Sequence, residues 1–501
     1  MKNQVQLITY VDRLGGPDLQ TLHDILQTDL QGLFDGLHLL PFFYPIDGED
    51  AGFDPIDHRQ VDPRLGGWKE IKALGKDYEL MADLIVNHIS ADSDLFQDVL
   101  SKGKASPYEG LFLSLDKVFP QGVTEETLTT IYRPRPGLPF TTFQTGDGKA
   151  RIMWTTFTRK QVDIDVYHPE GQKYLTSILD TFAEAGVKMI RMDAVGYAIK
   201  TPGTSCFMTP ETFEFIEALT EKARTRGIEV LVEIHAYYQR QIEIAQKVDW
   251  VYDFALPPLV LHTLFARSAR NLKKWLRISP RNAITVLDTH DGIGIIDIGA
   301  GNGQGETEGL AEPHEIEALV EAIHEKSQGQ SRQATGAAAS NLDLYQVNCT
   351  FFDALGRDKQ SYLLARMIQY FAPGIPQVYY VGLLAGENDM ELLAKTRVGR
   401  DINRHYYTRE EMKHRIQSEY LQQHFTLIRF RNAHPAFQGS FALAESADDQ
   451  LQMHWVNGPH TASLSIDLPN NSFTISFTEN GALRHWENSI PLQEKAISSE
   501  E

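Results

Sequence analysis

Cysteine is nearly absent: Cys206 and Cys349 are the only two in 501 residues. They cannot form a disulfide framework, which excludes a stapled secreted scaffold and makes a reducing cytoplasm the expected home. Neither falls in a chemical cluster, so both are expected to be packing residues. No stretch approaches about 18 consecutive apolar residues, and the opening Met1-Lys2-Asn3-Gln4-Val5 has no apolar core of a leader. Neither a membrane span nor a signal peptide is expected. Positive charge is also scarce: 47 Lys and Arg against 67 Asp and Glu leave a net charge of −20. That disfavours nucleic acid and anionic membrane as partners, and an anionic substrate would need a local arginine cluster. There is no internal repeat and no low-complexity tract. Hydrophobic residues make up 42% of the chain, enough for a sizeable core, and mixed charges rule out a disordered chain.

Eight short apolar runs space the chain: Val5–Tyr10, Gly36–Leu40, Leu80–Val86, Val187–Met192, Glu229–Ile234, Trp250–Phe254, Ala283–Leu287 and Pro376–Tyr380. Each reads as a strand buried on both faces. Helical patterns lie between several of them. Residues 18–33 repeat Leu at 19, 22, 26, 30 and 33. A helix over 171–185 stops at Gly186, and Thr209-Pro210 begins another. This alternation, with polar residues after nearly every strand, predicts a (β/α)8 barrel rather than an open sheet. Residues 1–88, 167–291 and 357–437 are assigned to it. Two connections exceed a simple crossover, 89–166 after the third strand and 292–356 after the seventh. Both are expected to build over the C-terminal ends of the strands, where barrel sites lie. A helix is expected near 314–326. After Phe437 the pattern alternates polar and apolar, and 438–501 is expected to form a small antiparallel β-domain.

Four groups follow predicted strands: DLIVNH at 83–88, RMDAVG at 191–196, EIH at 233–235 and DTHD at 288–291. One aspartate after a strand is usually a helix cap or an ion-pair partner. Four such groups, after the third, fourth, fifth and seventh strands, point to cleavage of a glycosidic bond. An oxocarbenium-like transition state needs a carboxylate under the anomeric carbon and a protonated carboxyl beside the leaving oxygen, about 5–5.5 Å apart in retaining enzymes. Arg191, two residues before Asp193, is expected to keep Asp193 ionised. Glu233 is expected to hold a proton for donation. Asp163 and Asp165 could suggest calcium, but no ligand cluster surrounds them, and a cap or salt bridge is the expectation.

These groups, in this order, resemble the conserved regions of glycoside hydrolase family 13, the α-amylase clan. Longer stretches resemble its sucrose phosphorylase group: DAGFDPIDH at 50–58, IYRPRPGLPFT at 131–141, FTRKQVDID at 157–165, LDTHDGIGIIDIG at 287–299, TGAAASNLDLYQVN at 335–348 and GRDINRHYY at 399–407. The resemblance covers the whole chain. It implies Asp193 as nucleophile, Glu233 as acid and base, and Asp291 as stabiliser of the transition state. It implies a glucose subsite of Asp50, Phe53, His88, Gln161, Arg191, His290 and Arg400. Arg135, His235, Asp343, Leu344, Tyr345 and Gln346 would line the acceptor side.

The implied reaction is retaining phosphorolysis of sucrose to α-D-glucose 1-phosphate and fructose through a β-glucosyl-enzyme, with no metal and no cofactor. Arg135 is the expected counter-charge for phosphate, and the 335–348 loop is expected to move between half-reactions. Related phosphorylases acting on sucrose 6′-phosphate, glucosylglycerol or glucosylglycerate are the nearest alternatives, followed by a sucrose hydrolase or transglucosidase. Oligomeric state is left open, a homodimer being compatible with the sequence.

Overall fold

The computed structural model describes residues 1–134, 137–301, 308–335 and 346–492. Eight strands close into a barrel: β1 (Gln6–Thr9), β2 (Gly36–Leu39), β3 (Glu79–Ile85), β4 (Met189–Asp193), β5 (Glu229–Val232), β6 (Trp250–Asp253), β7 (Ala283–Thr285) and β8 (Ile375–Tyr379). Each pairs in parallel with its sequence neighbours, and β1 closes on β8. All eight predicted runs are barrel strands. Their Val, Ile and Leu side chains are almost fully buried, each worth about 1.5–3 kcal/mol of transfer free energy. Inside the barrel, Gln377 Nε2 donates to Gln6 Oε1 at 2.7 Å, and the Tyr252 hydroxyl donates to Gln377 at 3.3 Å. Apolar runs do not announce such a polar plug.

The helix after β1 starts where the cap predicts: Asp18 Oδ1 accepts from Thr21 N at 2.8 Å. It ends at Gln27 rather than Leu33. The Leu30 amide turns back onto the Ile25 carbonyl at 3.0 Å, and Leu30 and Leu33 bury their side chains from a turn. Leucine spacing there reports burial, not continued helix. The helix Pro169–Ala185 ends at Gly186 with φ 83°, a left-handed cap that disfavours a side chain. Pro313–Lys326 is helical, as the sequence indicates.

Between β3 and β4 lie short helices and a hairpin, Phe140–Gln144 with Ala150–Trp154. A two-stranded sheet, His88–Ser90 with Gln161–Asp163, ties this segment to the barrel. Lys200 locks the junction. Its buried ammonium lies 2.7 Å from Asp163 Oδ2, 3.1 Å from Asn87 Oδ1 and 3.2 Å from Thr156 Oγ1, and also meets the Tyr197 carbonyl. Asp163 is thus an ion-pair partner, and Asp165 pairs with Lys117 at 2.6 Å. Both cysteines are buried and free.

The chain ends in a five-stranded antiparallel meander: β9 (Ser440–Leu443), β10 (Gln450–Asn457), β11 (His460–Asp467), β12 (Ser472–Glu479) and β13 (Ala482–Glu487). The sequence shows β10 to β12 by their alternation. It hides β9, which is only half-buried, and β13, which is mostly exposed and has no apolar face to read. Among the described residues, no helix is long and apolar enough to cross a membrane.

Candidate active site

Strand register builds the site. Met192 of β4 lies opposite Val232 of β5, and the Glu233 amide donates to the Met192 carbonyl at 3.3 Å. Asp193 and Glu233 therefore emerge side by side at adjacent strand ends. Ala194 then takes φ 53°, a left-handed conformation, and its N–H points to Glu233 Oε2 at 3.4 Å. Asp291 arrives from the loop after β7. Oxygens of Glu233 and Asp291 and a ring nitrogen of His235 all lie within 4.8 Å of one another.

Arg191 stands beneath the group. Its Nη1 lies 2.6 Å from both Asp83 Oδ1 and Asp193 Oδ1, and its Nη2 lies 3.9 Å from Glu233. His38 supports Asp83 from behind at 2.9 Å. Burial raises the Asp83 carboxyl, but His38 and Arg191 outweigh it and hold it at about 2.

Asp193 departs from the sequence expectation. Arg191 favours its ionised form, yet burial wins, with Glu233, Asp83 and Asp291 adding, and the carboxyl is pushed up to about 8. Burial and three neighbouring carboxylates hold back a proton that a single guanidinium does not expel. Asp291 behaves in the opposite way. Burial raises it, but Arg400 Nη1 at 2.7 Å, together with His290, Arg191 and Arg404, holds it well below the usual carboxylate range.

The predicted glucose-side residues converge on this centre. Phe53 stacks on His290, with ring centroids 4.8 Å apart and planes at 7°, and Arg191 lies over the same phenyl ring at 5.7 Å. The Phe53 carbonyl accepts from His88 Nε2 at 2.9 Å and from Gln161 Nε2 at 3.2 Å. Asp50 lies 3.6 Å from Arg400. Gly52, at φ 91°, allows the tight turn that brings Asp50 and Phe53 to the same wall. Burial keeps His290 neutral, pushed down to about 3, and lowers His88 as well.

On the other side, His235 stacks on Phe254 with centroids 3.8 Å apart. Its Nδ1 lies 2.8 Å from Asp297 Oδ2 and its Nε2 lies 3.1 Å from Gln346 Nε2. Arg135, Asp343, Leu344 and Tyr345 lie outside the described residues.

Sequence reasoning passed over four contributors: His38, Asp83, Asp297 and Arg404. Arg404 is fully buried, contacts Asp50 at 3.3 Å and donates through Nε to the His290 carbonyl at 2.9 Å. Asp83, Asp297 and Arg404 stood inside quoted motifs, but nothing in a linear motif tells an inward-facing charge from an outward one. His38 sits in β2 and carried no signal beyond being a polar residue in an apolar run. Glu233, His235 and Asp291 are of metal-ligand type. Two are already engaged by charged partners, Asp291 by Arg400 and His235 by Asp297, so the cluster suits acid–base work on a neutral sugar ring rather than metal binding.

Residues 17–254 match the α-amylase catalytic domain. A sucrose phosphorylase of Agrobacterium vitis is 58% identical over 489 residues, spanning 96% of this chain and 100% of that protein. The chain belongs to the sucrose phosphorylase branch of the α-amylase family. A second member of that branch, from Bifidobacterium adolescentis, is 51% identical over 98% of this chain and 97% of its own length. The crystal structure of a sucrose 6F-phosphate phosphorylase from Thermoanaerobacter thermosaccharolyticum superposes with a TM-score of 0.90 at 38% identity, covering 97% of this chain and 99% of that one. Membership in the sucrose phosphorylase branch therefore extends over the barrel, both long connections and the terminal sheet.

Proposed function

We propose that this protein catalyses the reversible phosphorolysis of sucrose to α-D-glucose 1-phosphate and fructose with retention at C1. The observation that carries the reading is the convergence of Asp193, Glu233 and Asp291 at neighbouring strand ends around Arg191. Full-length similarity to phosphate-using relatives selects phosphate over water as acceptor.

Asp193 attacks C1 of the glucosyl unit as Glu233 gives its proton to the departing fructosyl oxygen. This requires an ionised Asp193 and a protonated Glu233 when sucrose is bound, and Arg191, 2.6 Å from Asp193 but 3.9 Å from Glu233, favours the negative charge on Asp193. Asp291, held ionised by Arg400, stabilises positive charge on the ring. Phosphate then attacks the β-glucosyl-enzyme, Glu233 takes the proton, and two inversions give retention. Asp50 and Arg400 bind the far hydroxyls and end the pocket after one glucose. No step calls for a metal or organic cofactor, because the carboxylates supply acid, base and nucleophile.

Phosphate must enter a site rich in carboxylate. Repulsion between two unit charges at about 4 Å reaches about 4 kcal/mol at an effective dielectric of 20. His235 supplies compensating charge, and we assign Arg135 the same task. Asp343 suits fructose hydroxyls but opposes phosphate, which calls for the 335–348 loop to rearrange between half-reactions. An acceptor loop carrying Asp343 favours neutral fructose over a phosphorylated leaving group, which separates this reading from sucrose 6′-phosphate phosphorolysis.

The test is incubation of the protein with sucrose and inorganic phosphate, measuring both products. Equimolar glucose 1-phosphate and fructose are expected. Fructose with free glucose alone would overturn the phosphorylase reading in favour of a hydrolase. Faster turnover of sucrose 6′-phosphate than of sucrose would reassign the substrate.

A further inference from the structure

Asp297 lies on a short 3-10 turn, Ile296–Ile298, in the connection after β7. It is completely buried, and no step of the mechanism above uses it. Its two oxygens have separate tasks. Oδ1 accepts from Gln241 Nε2 at 2.9 Å and from the Ala236 amide at 3.2 Å, which fixes the carboxylate plane. Oδ2 is left facing His235 Nδ1 at 2.8 Å. Gly294 packs against the contact so closely that a Cβ there would lie 2.2 Å from Asp297 Oδ2 and 3.0 Å from His235 Nδ1. The imidazole is therefore clamped between Phe254, Gly294 and Asp297, with Nε2 as its working end. Gln346 Nε2 lies 3.1 Å from that end. An amide donates through nitrogen or accepts through oxygen, so Gln346 can serve a neutral or a protonated ring.

We propose that Asp297 is a positioning residue that fixes His235 as an Nδ1–H donor and maintains it as an imidazolium, so that Nε2–H meets the incoming phosphate. This rests on the phosphorolysis reading given above. Among the described residues, Asp297, Glu233 at 3.9 Å and Asp291 bring acidic charge to the ring, and Phe254 is apolar on one face. Burial lowers the His235 imidazole, but Asp297 chiefly, then Glu233 and Asp291, raise it above the usual histidine value. Burial raises Tyr132 and Asp253, and the nearby charge of Asp297 adds to both. An acid that reaches the substrate only through a histidine should matter most when the acceptor is anionic. Fructose departure needs a hydrogen bond from Nε2; phosphate needs the charge.

The test compares wild type with Asp297→Asn, Asp297→Glu and Gln241→Leu. The pre-steady-state burst of fructose from sucrose without phosphate reports the first half-reaction, and kcat/KM for phosphate reports the second. Asp297→Asn is expected to lower kcat/KM for phosphate by at least about tenfold more than it lowers fructose release. The alkaline limb of the phosphate profile should move to lower pH, since loss of the anion lowers the imidazolium pKa. Asp297→Glu should restore part of the loss. Gln241→Leu, which loosens the carboxylate without removing its charge, should shift the same limb by less. An equal loss in both half-reactions with an unmoved limb would make Asp297 merely structural and overturn the proposal. If Asp297→Asn fails to fold, as read by its thermal melt, the Glu and Leu variants decide the matter by the same limb. Wild type that releases fructose but makes no glucose 1-phosphate would defeat the phosphorolysis reading instead. The dyad is then judged by imidazole NMR titration, with His235→Asn as assignment control: a lower His235 pKa in Asp297→Asn supports it, and an unchanged one overturns it.

Discussion

The two walls of the pocket are built on different principles. The wall we assign to glucose is a lattice of charges. Arg191, Arg400 and Arg404 meet Asp83, Asp193, Asp291 and Asp50 at 2.6–3.6 Å, and Phe53 and His290 lie flat beside them. Among the described residues, the acceptor wall presents one titratable cation, His235, held from behind by Asp297 and flanked by Gln346. The difference follows from what each wall meets. The glucose ring is the same in both half-reactions, so a rigid network of permanent guanidinium charges suits it. In the proposed reaction the acceptor wall meets a neutral sugar and then a dianion. A histidine whose hydrogen-bond role can change fits that alternation better than a lattice that cannot.

The sharpest way to break this comparison is Asp193→Asn, which acts beneath both walls. Turnover should fall by at least about 10⁴-fold in both half-reactions, because no nucleophile remains. A rapid-quench assay that still found a glucosyl-enzyme would sink the assignment. Next in size is Lys200→Met, which unsupports the sheet carrying His88 and Gln161. It leaves Asp163 buried without its ammonium, and stability should drop by about 3–5 kcal/mol in urea titrations. A variant as stable as wild type would mean that the glucose wall does not depend on this junction.

Arg400→Gln probes the lattice itself. It removes the partner of Asp291 at 2.7 Å, and kcat/KM for sucrose should fall by about 10²-fold, with both half-reactions slowed alike. His235→Asn is the counterpart on the other wall. There phosphate attack should slow about tenfold more than fructose release. If Arg400→Gln proved acceptor-selective and His235→Asn did not, the contrast between the walls would be inverted.

The smallest expected effect is on the pH dependence of stability. Burial holds the Asp193 carboxyl at about 8 in the folded chain, above its ordinary value of 3.8. Between those values the folded state binds more protons than the unfolded state. This group's contribution is therefore intact below pH ~4 and is lost as pH rises through about 8. Asp54 and Asp253, each pushed up by burial to about 7, act in the same direction. Asp193→Asn should flatten, without abolishing, the fall in thermal stability between pH 5 and 8. An unchanged slope would show that Arg191 keeps Asp193 ionised after all.

Barrel strands and catalytic carboxylates were legible because each left a dense local mark. Fully buried strands read as unbroken apolar runs, and the acids sit within a few residues of those runs. β13 left no mark, since an exposed edge strand needs no apolar face. The end of the helix Leu19–Gln27 was misread because Leu30 and Leu33 keep helical spacing while packing from a turn.

Order along the chain thus specified eight buried strands, the acids at their ends and the family to which they belong. Only the closed barrel decided the rest. Strand register set Glu233 beside Asp193, the pairing of β2 with β3 carried His38 behind Asp83, and chain segments 62 residues apart brought Asp297 to His235. The raised Asp193 carboxyl is likewise a tertiary property. It depends on how much water the folded pocket excludes and how many charges share it, and a one-dimensional sequence records neither.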